Sequence, residues 1–303
     1  MSFELTVLGC SSATPTSQRN PTAQFLSIHD RYFLIDCGEG TQIQLRKFKL
    51  KFSRINHIFI SHLHGDHYFG LIGFLSSLHL LNRTNELHIY CPEPLQKIIE
   101  IQLNYSETIL RYPVQYHFLD PEKKQLIFED EKLTIETLLL KHRIPCWGFV
   151  FREKPALLSL RKDKIELYNI SPLELPKIKR GEDYTTPENK LIKNKELTYP
   201  PHEPRTYAYC SDTSYDESLI PFIKEADLLY HEATFMFDMQ TRAKETYHST
   251  TVEAATIAKK SKVKQLIIGH FSARYKDLTP LLEESTKIFE NTLLAEEGKT
   301  YKI

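Results

Sequence analysis

His62-Leu63-His64-Gly65-Asp66-His67 concentrates three imidazoles and a carboxylate in six positions of a chain that holds thirteen histidines in 303 residues. Imidazole nitrogens and carboxylate oxygens are the donors that zinc and similar first-row cations take. A polar turn that happens to be rich in histidine is the plainer reading, but four donors so close together outweigh it. The stretch is therefore read as a metal site, and so as part of an enzyme. The apolar run at 55–61 before it suits a buried strand, and 68–75 after it suits a helix. The donors thus sit on a strand-to-helix turn, where side chains converge on one point.

One short turn cannot complete two metal sites, so further donors must arrive on other elements. Three places offer one just past an apolar strand: His142 after 133–140, Asp212 after 206–211 and His270 after 265–269. Strand ends are the usual place for sites in sheet-based enzymes. Taken singly, each is more simply a polar residue facing a loop. Further strands are read at 3–8, 23–28, 32–36, 57–60, 87–90, 114–118 and 227–230, with helices at 41–52, 67–80, 94–110, 216–225, 250–260 and 280–291. This mixture implies packed sheets with helices outside them, not a regular βαβ repeat.

Bulk properties bound the problem. A hydrophobic content of 41% with 26% charged residues is that of an ordinary globular protein large enough for a sizeable core. No apolar run approaches the roughly 20 residues of a membrane helix, and the first residues lack the basic start of a secretory signal. The five cysteines are scattered and never form a C-x-x-C pair, which implies a reducing cytoplasm and no cysteine zinc site. Formal net charge is zero, so any polyanion must be met by local patches. One such patch runs from Thr41 to Gly65, which holds Arg46, Lys47, Lys49, Lys51 and Arg54 and no acid.

The ordered set of His62, His64, Asp66, His67, His142, Asp212 and His270 resembles the metallo-β-lactamase superfamily over nearly the whole chain. The resemblance implies an α/β protein, a four-layer αβ/βα sandwich forming one catalytic domain over 1–303. It also implies two metals: one held by His62, His64 and His142, the other by Asp66, His67 and His270, with Asp212 bridging. Two cations about 3.5–4 Å apart can activate a shared water and stabilise charge on attacking and leaving oxygens. Asp66 is placed both to bind metal and to accept the water's proton.

Finer motifs narrow the family. Pro15 to Asn20, Asp36-Cys37-Gly38-Glu39-Gly40-Thr41-Gln42, Tyr230-His231-Glu232-Ala233-Thr234, His248-Ser249-Thr250 and Gly269 to Tyr275 look like ribonuclease Z. That resemblance implies a zinc-dependent endoribonuclease that removes the 3′ trailer of precursor tRNA, leaving a 3′-hydroxyl on the tRNA and a 5′-phosphate on the trailer. Two Zn²⁺ per subunit are implied, with Mn²⁺ also suited, in a cytoplasmic homodimer with no membrane association. His248, outside the ligand set, is the candidate general acid for the leaving oxygen, oriented by Glu232. Ser272, Arg274 and Arg19 are candidate phosphate or RNA contacts.

The segment 151–205 departs from the rest. It has seven prolines, one glycine, and 12 Lys/Arg against 9 Asp/Glu, so it is either an unstructured linker or a functional loop. It falls where ribonuclease Z carries a flexible arm that grips tRNA, but lacks the Gly-Pro tip of the familiar bacterial arm. Lys177, Lys179 and Arg180 could supply a basic tip instead. Two alternatives remain: a hydrolase of small phosphodiesters or esters, and a tRNA-binding protein with a vestigial metal site. The full donor set argues against the latter.

Overall fold

Continuous apolar runs separated by polar turns fold into two seven-stranded sheets in the computed structural model, which describes residues 2–303. The first holds β1 (Phe3–Gly9), β2 (Ala23–Ile28), β3 (Arg31–Ile35), β4 (Ile55–Phe59), β5 (Leu87–Cys91), β6 (Val114–Phe118) and, beside β1, β18 (Thr300–Lys302). Its order is β18-β1-β2-β3-β4-β5-β6, with β3 to β6 parallel. The second holds β7 (Leu126–Glu129), β8 (Leu133–Leu140), β9 (Cys146–Glu153), β14 (Thr206–Cys210), β15 (Leu228–Glu232), β16 (Gln265–Gly269) and β17 (Thr292–Leu294). Here β14 to β17 run parallel. All five residues of β15 are buried, as expected of a parallel strand covered on both faces.

Aromatic side chains join the sheets. Phe59 lies 5.3 Å from Phe149, and Phe33 lies 5.7 Å from Phe151, with rings tilted rather than stacked. On the outer face of the first sheet, helices Thr41–Lys47, Leu71–Leu80 and Pro94–Tyr105 bury Leu45, Phe74, Leu78, Leu95 and Ile99. Helix Thr251–Ser261 covers β15 and β16. It opens with a capping box, in which Thr250 Oγ1 accepts from the Glu253 N–H and Glu253 Oε2 accepts from the Thr250 N–H. The result is the four-layer αβ/βα arrangement.

Two local features differ from the sequence-based expectation. The helix expected over 67–80 is broken into Gly65–Tyr68 and Leu71–Leu80. The break follows from a close backbone approach: the Gly70 N–H donates to Cys37 O at 2.9 Å, and a Cβ on Gly70 would stand 2.1 Å from Gly38 O. The segment 151–205 is ordered. Asp130–Leu133 and Arg152–Arg205 form a compact unit distinct from the rest of the chain. Its core is Ile170, Ile178, Tyr184, Ile192 and Leu197. The unit contains β10 (Ser159–Leu160) paired with β13 (Thr198–Tyr199), and β11 (Tyr184–Thr185) paired with β12 (Leu191–Ile192). The buried Glu153 carboxylate accepts from Arg205 through both oxygens, at 2.7 and 2.9 Å.

Among the described residues, no helix is long and apolar enough to cross a membrane. All five cysteines are buried and unpaired.

Candidate metal centre

The carboxyl ends of strands in both sheets deliver the donor residues to one place. The His62–His67 turn follows β4, His142 follows β8, Asp212 follows β14 and His270 follows β16. His64 Nδ1 lies 3.0 Å from His62 Nε2 and 3.1 Å from His142 Nε2. Asp212 Oδ2 stands 3.6 Å from His62 Nε2 and 3.8 Å from His142 Nε2. Its other oxygen, Oδ1, stands 3.4 Å from His67 Nε2 and 3.3 Å from His270 Nε2. Asp66 Oδ2 completes that second group, 3.3 Å from His270 Nε2 and 3.6 Å from His67 Nε2. One carboxylate therefore presents one oxygen to each of two donor groups.

The outer ring nitrogens fix which nitrogen faces inward. Nδ1–H of His67 donates to Asp36 Oδ2 at 2.8 Å, and that of His270 to Thr234 Oγ1 at 2.9 Å. His142 Nδ1–H donates to Tyr247 O, and His62 Nδ1–H to Ser61 Oγ, both at 3.0 Å. Each tether leaves an Nε2 lone pair directed at the cluster, the arrangement expected of metal-binding histidines. Asp36 is itself held by Ser61 and by the Tyr209 hydroxyl at 2.6 Å. Asp36 and Thr234 were not singled out as site residues from the sequence, where nothing local ties them to histidines elsewhere. Three non-glycine residues at the site, Ala13, Asp36 and His270, have φ between +56° and +61°, each costing about 1 kcal/mol or more. Ala13 uses this geometry to donate its N–H to Asp66 Oδ2 at 2.7 Å.

These residues fit divalent cations. His67 Nε2 and Asp212 Oδ1 are buried without a hydrogen bond among the described residues, which is costly unless something else is bound. Burial, then neighbouring imidazoles, lower the pKa of His62 and His64, and burial lowers that of His142, so all three are neutral donors. Burial opposes charge on His67, but Asp212, Asp66 and Asp36 outweigh it and raise its pKa well above the usual value. The carboxylates thus create a demand for positive charge inside the cluster.

Next to it, His248 Nδ1 lies 2.9 Å from Glu232 Oε1 and 4.0 Å from Asp212 Oδ2. Burial works against charge on His248, yet Glu232 prevails and raises its pKa to about 9. His248 lines a cleft of about 500 Å³ over the cluster, together with His64, Asp66, His142, His270 and Ser272. Arg274 donates to Ser272 Oγ and sits over the Phe235 ring. The Arg19 guanidinium is committed to the backbone, donating to Tyr275 O at 2.8 Å, and its residue is only 8% exposed. The arginines and lysines of the 41–65 stretch do not line the cleft; Arg54 and Lys51 lie over the Tyr32 ring. Lys177, Lys179 and Arg180 are exposed on and just after helix Leu175–Lys179 of the smaller unit.

Comparison with known proteins follows the same lines. The family model described as Anti-Pycsar protein Apyc1 matches residues 3–159. The ribonuclease Z of Phocaeicola vulgatus is 52% identical over 97% of this chain and 96% of its own length. That of Bacteroides fragilis is 50% identical over 98% and 97%. Among solved structures, human tRNase Z, short form, superposes with a TM-score of 0.70 at 30% identity, covering 98% of both chains.

Proposed function

The chain belongs to the ribonuclease Z family of metal-dependent hydrolytic endoribonucleases, and from that premise we propose that it removes the 3′ trailer of precursor tRNA. The products are a tRNA 3′-hydroxyl and a trailer 5′-phosphate. The observation that carries this reading is the division of Asp212, one oxygen toward each donor group. We assign His62, His64 and His142 to one zinc ion and Asp66, His67 and His270 to a second, with Asp212 shared; manganese suits the same donors. Bound there, two divalent cations supply Lewis-acid stabilisation of phosphoryl oxygens and lower the pKa of water.

The chain's own residues supply the rest. His67 and His270 outweigh burial and lower the Asp66 pKa, so Asp66 is the better ligand and the weaker proton acceptor of its two expected roles. His248 holds a proton below about pH 9 and gives it to the leaving 3′ oxygen, with Glu232 fixing the ring. Ser272, beside His270 in the cleft, and Arg274 behind it support a phosphate contact. Arg19 acts by holding that loop rather than by touching RNA. Lys177, Lys179 and Arg180 are assigned to an exosite for tRNA on the 151–205 arm.

A homodimer is supported by apolar side chains left exposed around one groove, Leu80 at 75% and Ile109 at 87%. A reducing cytoplasm is supported by the five unpaired cysteines. The test is cleavage of a precursor tRNA with a mapped trailer, with and without chelator, beside Asp66→Ala. Cutting at the trailer junction that is lost with chelator and in the variant is expected; an uncut precursor with metal present would refute the proposal.

A further inference from the structure

Two cations of the cleft have no part in the chemistry above. Arg143 directly follows His142, and Arg242 lies on helix Gln240–Thr246; both line the cleft. Arg143 is exposed and forms no hydrogen bond or ion pair among the described residues. Arg242 reaches Glu245 at 3.3 Å, but both side chains are more than half exposed, so the pair is weak and readily exchanged. Glu39, the exposed acid of the lining, pairs with neither arginine.

Their position is defined by the groups around them. His142 Nδ1–H donates to Tyr247 O at 3.0 Å, and the His142 ring lies 5.3 Å from that of His248. The turn bearing Arg143 is thereby stitched to the end of the helix bearing Arg242, next to His248. Ser272 belongs to a different element, the loop after His270. If His248 protonates the leaving 3′ oxygen, the strand that keeps this oxygen leaves the centre on the His248 side. An unpaired guanidinium there meets a phosphodiester with both a full charge and a planar fork of donors.

We propose that Arg143 and Arg242 form a phosphate clamp for the tRNA side of the cut, gripping the backbone phosphate immediately 5′ of the scissile one. The clamp sets the register of the RNA against His248, and it rests on the ribonuclease Z reading above.

The test pairs protein variants with charge-deleted substrates. Wild type, Arg143→Ala and Arg242→Ala are assayed on native precursor tRNA and on precursors carrying a neutral methylphosphonate at the phosphate 5′ or 3′ of the scissile one. On native RNA each variant is expected to lose about tenfold in kcat/KM, chiefly through KM. Its slope of log kcat/KM against log salt should flatten by about 0.7. With the 5′ methylphosphonate, wild type and variants should converge, because the interaction has been removed from the other partner. Convergence on the 3′ methylphosphonate instead would overturn the placement, and equal losses on all three substrates would overturn the clamp. Arg143→Lys, which keeps the charge, should recover the salt slope, whereas a variant that merely misfolded would not be rescued. Failure of the wild type to cut native precursor would instead refute the assigned function.

Discussion

Glu232 is the most heavily engaged carboxylate beside the centre. It accepts from the backbone N–H groups of Thr213, Ser249 and Thr234 and from the Thr234 hydroxyl, and pairs with His248. The sign of the resulting pH effect is defined. Because the raised pKa of His248 comes mainly from Glu232, the acid is charged at neutral pH and activity falls as pH rises through its pKa. Glu232→Gln removes the charge and is expected to move that basic limb of kcat to lower pH, while His248→Ala should lower kcat about 100-fold. A limb unmoved in Glu232→Gln would show that His248 is not the group being titrated. Asp36→Asn is expected to weaken metal affinity about 10- to 100-fold, measured by competition with a chromogenic chelator. The donors themselves were legible because four of them share one turn. Asp36 was not, since its bond to His67 spans 31 residues and exists only once β3 and β4 are paired.

At the scale of elements, the arm carries the sharpest expectation. Deleting 155–200 should weaken binding of precursor tRNA at least tenfold in a gel-shift titration, yet leave hydrolysis of a small chromogenic phosphodiester largely intact. Equal loss of both would count against an exosite. Strands such as β8 were readable because buried and exposed positions roughly alternate. β9 is absent from the strands read in the sequence despite Trp147, Phe149, Val150 and Phe151, because six consecutive buried positions give no period. The helix expected over 67–80 failed at Gly70 for a tertiary reason, the approach of Gly38 O. In the arm, strands of two residues and helices of four to six are too short for any periodicity to show.

For the molecule as a whole, the centre joins turns from both sheets, so metal should act as a structural clasp. Removing it is expected to lower Tm by several degrees in differential scanning calorimetry, with recovery on adding zinc, because a ligand bound only to the folded state stabilises that state. An unchanged Tm would mean that the centre is organised by the fold alone. Ile109→Glu should shift the protein from dimer to monomer in sedimentation velocity; a monomeric wild type would dispose of the dimer.

The spread of donors along the chain also orders events in time. His62, His64 and His142 come from the first half to be synthesised, Asp212 arrives later, and His270 arrives only with β16. A ribosome-bound chain halted before β16 can present the first trio but never the second group. Until then Asp66 and His67 lack their third partner, so the complete donor set requires nearly the whole chain.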